Sequence, residues 1–372
     1  MKKISCIYAT ARPGDSMIGR KDVDHISLFL DSLEKQTMAP NEFEVMIADC
    51  YYGLRSDHIK HGTNTYRGVK YPFTIYHWQV KSPWLKRGLW TGNAPWNGGI
   101  MLSDAELICT FGDCCEPIPE YLKRIWDWYK KGYWAMGLVV YKKDNKLLLK
   151  EDLSKKTNDP YINDRNEQLQ FIKKNWDLNA VVRDSRWVFV EQSENGIYIP
   201  RGFHAGQSFH GYASIPLDAL LKLNGFDENF DNDKSLGDCD CGVRALNAGY
   251  EEKVLLDRNI VIFENSHESI PDSIVPYKGP TPKSNYALMM HNYFIKRFRA
   301  NSYILTDEEI DWIVQYSVDN ESWAKTYDQR ENPHFKWWRK HQPIFDLVEL
   351  RELVQENLRK GIFEIPEYYK GD

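Results

Sequence analysis

Leu107-Ile108-Cys109-Thr110-Phe111-Gly112-Asp113-Cys114 begins as a short apolar strand and stops at a glycine and an aspartate, with Pro117 and Pro119 close behind. Pro119 then opens a helical pattern in which Leu122, Ile125, Trp126 and Tyr129 share one face and Gly132 lies beyond the end. Asp113 is thereby placed at the carboxyl end of a strand, where open α/β sheets gather their ligands.

The same unit stands earlier in the chain. Lys3 to Ala9 is apolar and β-branched enough for a buried strand, and Arg12-Pro13-Gly14 ends it. Asp24 is a candidate N-cap for a helix carrying Ile26, Phe29, Leu30 and Leu33 at i, i+3, i+4 and i+7. Phe43 to Ala48 reads as the next strand and ends at Asp49. Strand, helix, strand is the opening of an α/β sheet. Further on, Pro216 to Leu223 is a helical series closed by Asn224-Gly225, Gly242 to Asn247 is helical before Gly249, and Asn259 to Phe263 is a strand. Lys142 to Asn195 is polar with little periodicity and reads as an insertion. Ile270 to Ser284 carries four prolines and is a lid or a linker. Helical patterns at Glu308 to Tyr316 and Phe345 to Leu358 form a C-terminal extension.

Composition removes several classes of function. The 372 residues allow one large core with additions, and a net charge of −5 without a long single-sign run argues against a nucleic-acid partner. No stretch reaches the ~20 apolar residues needed to cross a bilayer, and the N-terminal apolar run is too short for a signal peptide. Seven cysteines without framework spacing fit a reducing compartment, so a cytoplasmic location is expected. The 13 Trp, 22 Tyr and 16 Phe suit stacking on sugars, although most such rings serve as core packing.

The order of segments resembles the family 2 glycosyltransferases. Ala9-Thr10-Ala11-Arg12, Ser32-Leu33 with Gln36-Thr37, and Ala48-Asp49-Cys50 stand where that family has Pro-Thr-Tyr-Asn-Arg, Ser-Leu with Gln-Thr, and Asp-Asp-Gly-Ser. Trp96-Asn97-Gly98-Gly99-Ile100 looks like its Arg-Asn-x-Gly-Ile, and Ser103 to Ile108 like Ala-x-Gly-Glu-x-Ile. Asn224-Gly225-Phe226-Asp227-Glu228 resembles Gly-Gly-Phe-Asp-Glu, and Gly237-Asp238-Cys239-Asp240 stands at Glu-Asp-x-Asp. The resemblance implies the α/β fold termed GT-A, that of nucleotide-diphospho-sugar transferases: a mixed, mostly parallel sheet flanked by helices. It divides the chain into a transferase domain, residues 1–300, and a helical C-terminal extension, 301–372. Within the first lie a nucleotide-binding half (1–118), the insertion (142–195) and an acceptor and catalytic half (196–268).

By the same resemblance the reaction is inverting transfer of a sugar from a nucleotide diphosphate sugar, UDP-linked, to a glycan or other hydroxyl acceptor. Thr10, Arg12, Asp49, Asn97 and Asp113 are implied at the nucleotide, with Asp49 accepting from a uracil N–H. Asp238 is the implied general base, since an aspartate at a helix start is favoured in the ionised form a base needs. Asp240 and His210 are assigned to the acceptor side or its support. The family's divalent ion, Mn²⁺ or Mg²⁺, prefers oxygen ligands. Gly112-Asp113-Cys114 offers one carboxylate at the family's Asp-x-Asp position, so Asp113 binds metal in a shifted register or only accepts from ribose hydroxyls. His267, 29 residues beyond Asp238, stands where many such enzymes hold a metal. The depleted position also leaves a catalytically inactive nucleotide- or sugar-binding protein of the same fold as the alternative.

Overall fold

The apolar run that starts at Lys3 forms the centre of the sheet in the computed structural model, which describes residues 2–11, 16–17, 20–57, 61–82, 92–143, 146–147, 184–232, 236–265, 284–320, 342–363, 365–366 and 368. The strands are β1 (Lys2–Thr10), β2 (Ser16–Met17), β3 (Arg20–Asp24), β4 (Phe43–Asp49), β5 (Thr63–Tyr66), β6 (Val69–Gln79) and β7 (Ala105–Phe111). They continue as β8 (Cys115–Pro117), β9 (Trp134–Lys143), β10 (Lys146–Leu147), β11 (Ile197–Tyr198), β12 (Ser214–Pro216) and β13 (Val254–Asn265). The helices are α1 (His25–Glu34), α2 (Asn93–Leu102), α3 (Tyr121–Lys130), α4 (Trp187–Glu191) and α5 (Phe203–Gln207). Beyond them come α6 (Leu217–Lys222), α7 (Gly237–Asn247), α8 (Ser284–Phe294), α9 (Asp307–Asn320) and α10 (Leu347–Arg359).

Six strands form the main sheet in the order β12-β7-β1-β4-β6-β5. Its central four are parallel, with β12 and β5 antiparallel at the edges. A second sheet, β10-β9-β13-β11 with β8 on β13, lies beyond. Parallel strands must be covered on both faces, and β1 and β4 are accordingly buried from Ile4 to Thr10 and from Phe43 to Asp49. Register places the chemistry-bearing residues together. Thr10 pairs with Asp49, and Tyr8 pairs with Phe111 immediately before Gly112-Asp113. Both expected strand ends thus lie at the same edge of the sheet.

Local chemistry explains the elements. Asp24 caps α1 by accepting from the Ile26 amide at 2.9 Å, and Ile26, Phe29, Leu30 and Leu33 are buried as their spacing predicts. Burying each such side chain contributes about 1.5–3 kcal/mol. α6 ends at Asn224 and Gly225, both in left-handed conformation with φ of 58° and 75°. The C-terminal segment shares the main core through Phe345, Leu347, Val354 and Ile365, and Asn224 binds it directly through the Phe345 carbonyl and the Leu347 amide.

Most of the insertion, Ile270 to Lys283, Arg12 and His267 lie outside the described residues. Among the described residues no helix is long and apolar enough to cross a membrane.

Candidate functional site

The expected base lies at the start of α7, and a glycine pair sets where that helix goes. A Cβ on Gly242 would meet the Gly206 carbonyl at 2.3 Å, and one on Gly206 would meet the Val243 amide nitrogen at 2.9 Å. α5 and α7 therefore cross with their backbones in contact. The helix starts at Gly237 after Leu236, so Asp238 is its second residue, near the N-cap as the sequence predicts. Its Oδ1 accepts from the Cys239 amide at 2.8 Å, and the side chain is partly buried. Gly237, where the family pattern has glutamate, has a physical reason: a Cβ there would lie 2.4 Å from the Asn93 side chain.

The α5–α7 crossing brings the segment after α5 beside Asp238. Cys239 Sγ lies 3.4 Å from the Phe209 carbonyl, so the neighbours of Asp238 and His210 touch. His210 is partly buried, its Nδ1 is buried without a hydrogen-bond partner among the described residues, and its ring stacks on Tyr212 with centroids 5.7 Å apart. Burial and then the Arg186 guanidinium push its pKa below the ordinary value, against the pull of Asp238 and Asp184.

Tyr212 joins this helix start to the Asp113 turn. Its hydroxyl donates to Glu264 Oε2 at 2.7 Å and stands 3.5 Å from where a Cβ on Gly112 would be. Asp113, partly buried in the turn from β7 to β8, is within electrostatic range of both Tyr212 and Tyr8. The two aspartate-centred segments thus share one wall, His210 to Tyr212. Arg186 braces that wall: it donates to the Ser208 carbonyl at 3.0 Å, to the Gly137 carbonyl at 2.6 Å, and pairs with Asp184 at 2.8 Å. Nothing in the sequence marks Arg186, Tyr212 or Glu264, because their roles come from burial and cross-strand neighbours rather than from a spacing.

Other expected residues are more enclosed. Asp49 is fully buried, its Oδ1 accepting from Arg55 and the Tyr51 amide at 2.8 Å each, with His77 Nε2 3.1 Å from Oδ2. Burial raises its pKa, but the His77 hydrogen bond and the Arg55 charge outweigh that and leave it below the ordinary value. Thr10 is buried, its hydroxyl 3.2 Å from His25 Nε2. Asn97 is also fully buried: its amide donates to the Phe226 carbonyl and Glu228 at 2.8 Å each and accepts from the Phe226 amide at 2.8 Å. That geometry makes Asn97 a strap on the Phe226–Glu228 segment. Asp240, on the support side of its two expected roles, is buried in an ion pair with Arg244 at 2.6 Å and accepts from Asn292 at 2.8 Å.

The ligand set for a divalent ion is incomplete in the described residues. Cys114, with φ of 60°, is buried against Leu28, its amide donating to the Tyr8 hydroxyl at 3.2 Å. Among the described residues no three His, Cys, Asp or Glu side chains converge as a metal site. Of the two expected ligands, Asp113 lies in this turn and His267 lies outside the described residues.

No protein-family model matches this sequence, and no curated protein does. Solved structures do resemble it. The S. aureus TarS 1–349 complex with UDP-GlcNAc superposes with a TM-score of 0.50 at 12% identity, covering 99% of each chain. The UDP complex of the same fragment gives 0.48 at 11% identity, over 99% of this chain and 98% of that one. A longer TarS chain gives 0.45 at 11% identity, over 94% of this chain and 55% of that one. The likeness concerns the fold, and the fold is the expected one: a GT-A-type α/β architecture with a mixed, mostly parallel central sheet flanked by helices.

Proposed function

We propose that this chain transfers a sugar from a nucleotide diphosphate sugar, UDP-linked, to a hydroxyl acceptor with inversion, and that Asp238 is the general base. The observation that carries this reading is the position of Asp238. Among the described acidic residues from Asp227 to Asp240, it alone is not fully buried, and it faces the wall it shares with the Asp113 turn. The UDP assignment draws on the fold likeness to TarS 1–349, crystallised with UDP-GlcNAc.

In this reaction the acceptor oxygen attacks the anomeric carbon as its proton passes to the Asp238 carboxylate. The bond from the anomeric carbon to the diphosphate oxygen breaks, and its electron pair leaves with the diphosphate. A good leaving group makes one carboxylate sufficient, whereas glycoside hydrolysis calls for two flanking the bond. Asp113 belongs at the ribose or diphosphate in this reading, and Asp240 supports the base through its helix.

Labelled nucleotide sugars incubated with the chain and a panel of hydroxyl acceptors test the proposal. Transfer from a UDP-sugar is expected, and Asp238→Asn should reduce it about 100- to 10,000-fold, the worth of a positioned base, with UDP affinity within about twofold. Full transfer in that variant would overturn the assignment of Asp238. The enclosed Asp49 and Asn97 favour a second reading, a binding protein of this fold without catalysis. Calorimetric binding of UDP-sugar with no transfer or hydrolysis would establish it.

A further inference from the structure

We propose that Tyr141 and Glu264 form the subsite for the sugar carried on the diphosphate: the carboxylate accepts from a sugar hydroxyl, and the phenol ring lies against the sugar's C–H face. This rests on the transfer reaction proposed above and names the residues that hold its donor sugar.

Strand pairing puts the two side by side. β9 and β13 run parallel, and Glu264 pairs with Tyr141 near the carboxyl ends of both, so their side chains leave the same face of the sheet. Ligands gather at such ends. On its other side Glu264 pairs with Cys115, and the Asn265 amide donates to the Cys114 carbonyl at 2.9 Å. Glu264 therefore stands one strand away from the turn that carries Asp113.

Exposure singles out the same pair. From Trp134 to Lys142 every residue is buried except Tyr141, and from Ile260 to Asn265 every residue is buried except Glu264. Each strand end opens at one residue, and the two open residues are cross-strand partners. Tyr212, itself buried, fixes the carboxylate by donating to Oε2 at 2.7 Å. The Tyr141 hydroxyl is pushed up to about 12 by burial and then by the charge of Glu264, in keeping with their closeness.

The chemistry of the pair selects the ligand. A carboxylate only accepts hydrogen bonds and repels a diphosphate, so it suits a neutral partner rich in O–H donors. The neighbouring ring adds an apolar face for C–H groups. A pyranose presents both. With Asp113 assigned to the ribose or diphosphate, the pyranose next to this turn is the one the diphosphate carries.

Calorimetry on the full chain with UDP, UDP-glucose, UDP-galactose and UDP-GlcNAc tests this without turnover. Glu264→Gln keeps an oxygen to accept from Tyr212 and removes the charge that the sugar hydroxyl meets. It should weaken the bound UDP-hexose about tenfold, the worth of a hydrogen bond to a charged group, and leave UDP within about twofold of the parent. Tyr141→Ala should weaken the UDP-hexose about threefold to tenfold, the worth of an aromatic face, with UDP again little changed. UDP-hexose affinity within about twofold of the parent in both variants overturns the subsite. An equal loss for UDP and the UDP-hexose also overturns it, since that marks damage to the nucleotide site as a whole. With a working donor, an acceptor KM that rises in Glu264→Gln while donor affinity stays put overturns it as well, by giving the pair to the acceptor. A chain that binds a UDP-hexose and transfers nothing defeats the reaction proposed above and leaves this comparison of affinities intact. A chain that binds no UDP-hexose defeats both.

Discussion

Asp227, Glu228, Asp231 and Asp240 are fully buried, whereas Asp238, set among them in the sequence, is partly buried and accepts from the amide of Cys239. The buried four are spent on architecture. Asp227 accepts from Tyr303 at 2.6 Å, Glu228 from Asn97 at 2.8 Å and Tyr368 at 3.0 Å, and Asp231 from the Gly92, Asn93 and Ala94 amides at the start of α2. Asp240 is paired with Arg244. Together they tie α2, α7, the residues around 300 and the C-terminal segment into one body. A carboxylate fully enclosed in the protein is poorly placed to take a proton from a substrate. The difference between the two sets therefore separates scaffold from chemistry within one short stretch.

The comparison breaks most visibly in stability. Asn97→Ala should cost about 2–4 kcal/mol of unfolding free energy by urea titration, because Glu228 and both Phe226 backbone groups lose a buried partner. A cost within about 0.5 kcal/mol, the range of ordinary surface changes, would mean that Asn97 is not a strap.

A pH series sharpens the same contrast. Burial, only partly offset by the α2 amides, raises the Asp231 carboxyl from 3.8 to about 6. The folded state then holds that proton where the unfolded chain has released it, so the group's contribution to stability falls as pH rises through about 4 to 6. Asp49 and Asp184 are shifted the other way, and their contributions are lost as pH falls below the ordinary carboxylate range. Comparing Asp231→Asn with the parent cancels the other groups. Urea midpoints from pH 4 to 7 should show the difference moving in favour of the variant as pH rises to about 6. A difference that stays constant over this range contradicts the raised carboxyl.

Cys114→Ser should lower stability by about 1 kcal/mol, the modest cost of a hydroxyl in an apolar contact, and leave UDP affinity with or without Mn²⁺ unchanged. A loss of Mn²⁺ dependence in that variant would make the thiol a ligand after all. The smallest effect is expected for the stability of Asp238→Asn, within about 0.5 kcal/mol of the parent. A loss of several kcal/mol would put Asp238 among the scaffold carboxylates.

Much of the architecture was legible locally. The Ile26-Phe29-Leu30-Leu33 recurrence and the Asp24 cap predict α1, and the run from Lys3 predicts β1, because helix and strand periodicities follow from neighbouring residues. The strand ends at Asp49 and Asp113 were also readable, since a glycine or turn stops the apolar run. The helical start at Gly237 was not, because it depends on Asn93, far away in sequence, requiring a residue without a side chain. The roles of Asn97 and Asp49 were hidden for the same reason: the motif residue is visible, but its partners Phe226, Glu228, Arg55 and His77 are supplied by other elements.

By itself, the amino-acid sequence determined an α/β chain with carboxylates at strand and helix ends, because periodicity, capping and turn chemistry act over a few residues, and its resemblance to the family 2 glycosyltransferases implied the GT-A arrangement. Only the tertiary structure decided which carboxylates were left partly exposed, that the segment carrying His210 packs against the start of α7, and that Arg186 braces that segment through the Ser208 carbonyl. Burial and electrostatics depend on every element packed around a group, and no local pattern encodes them.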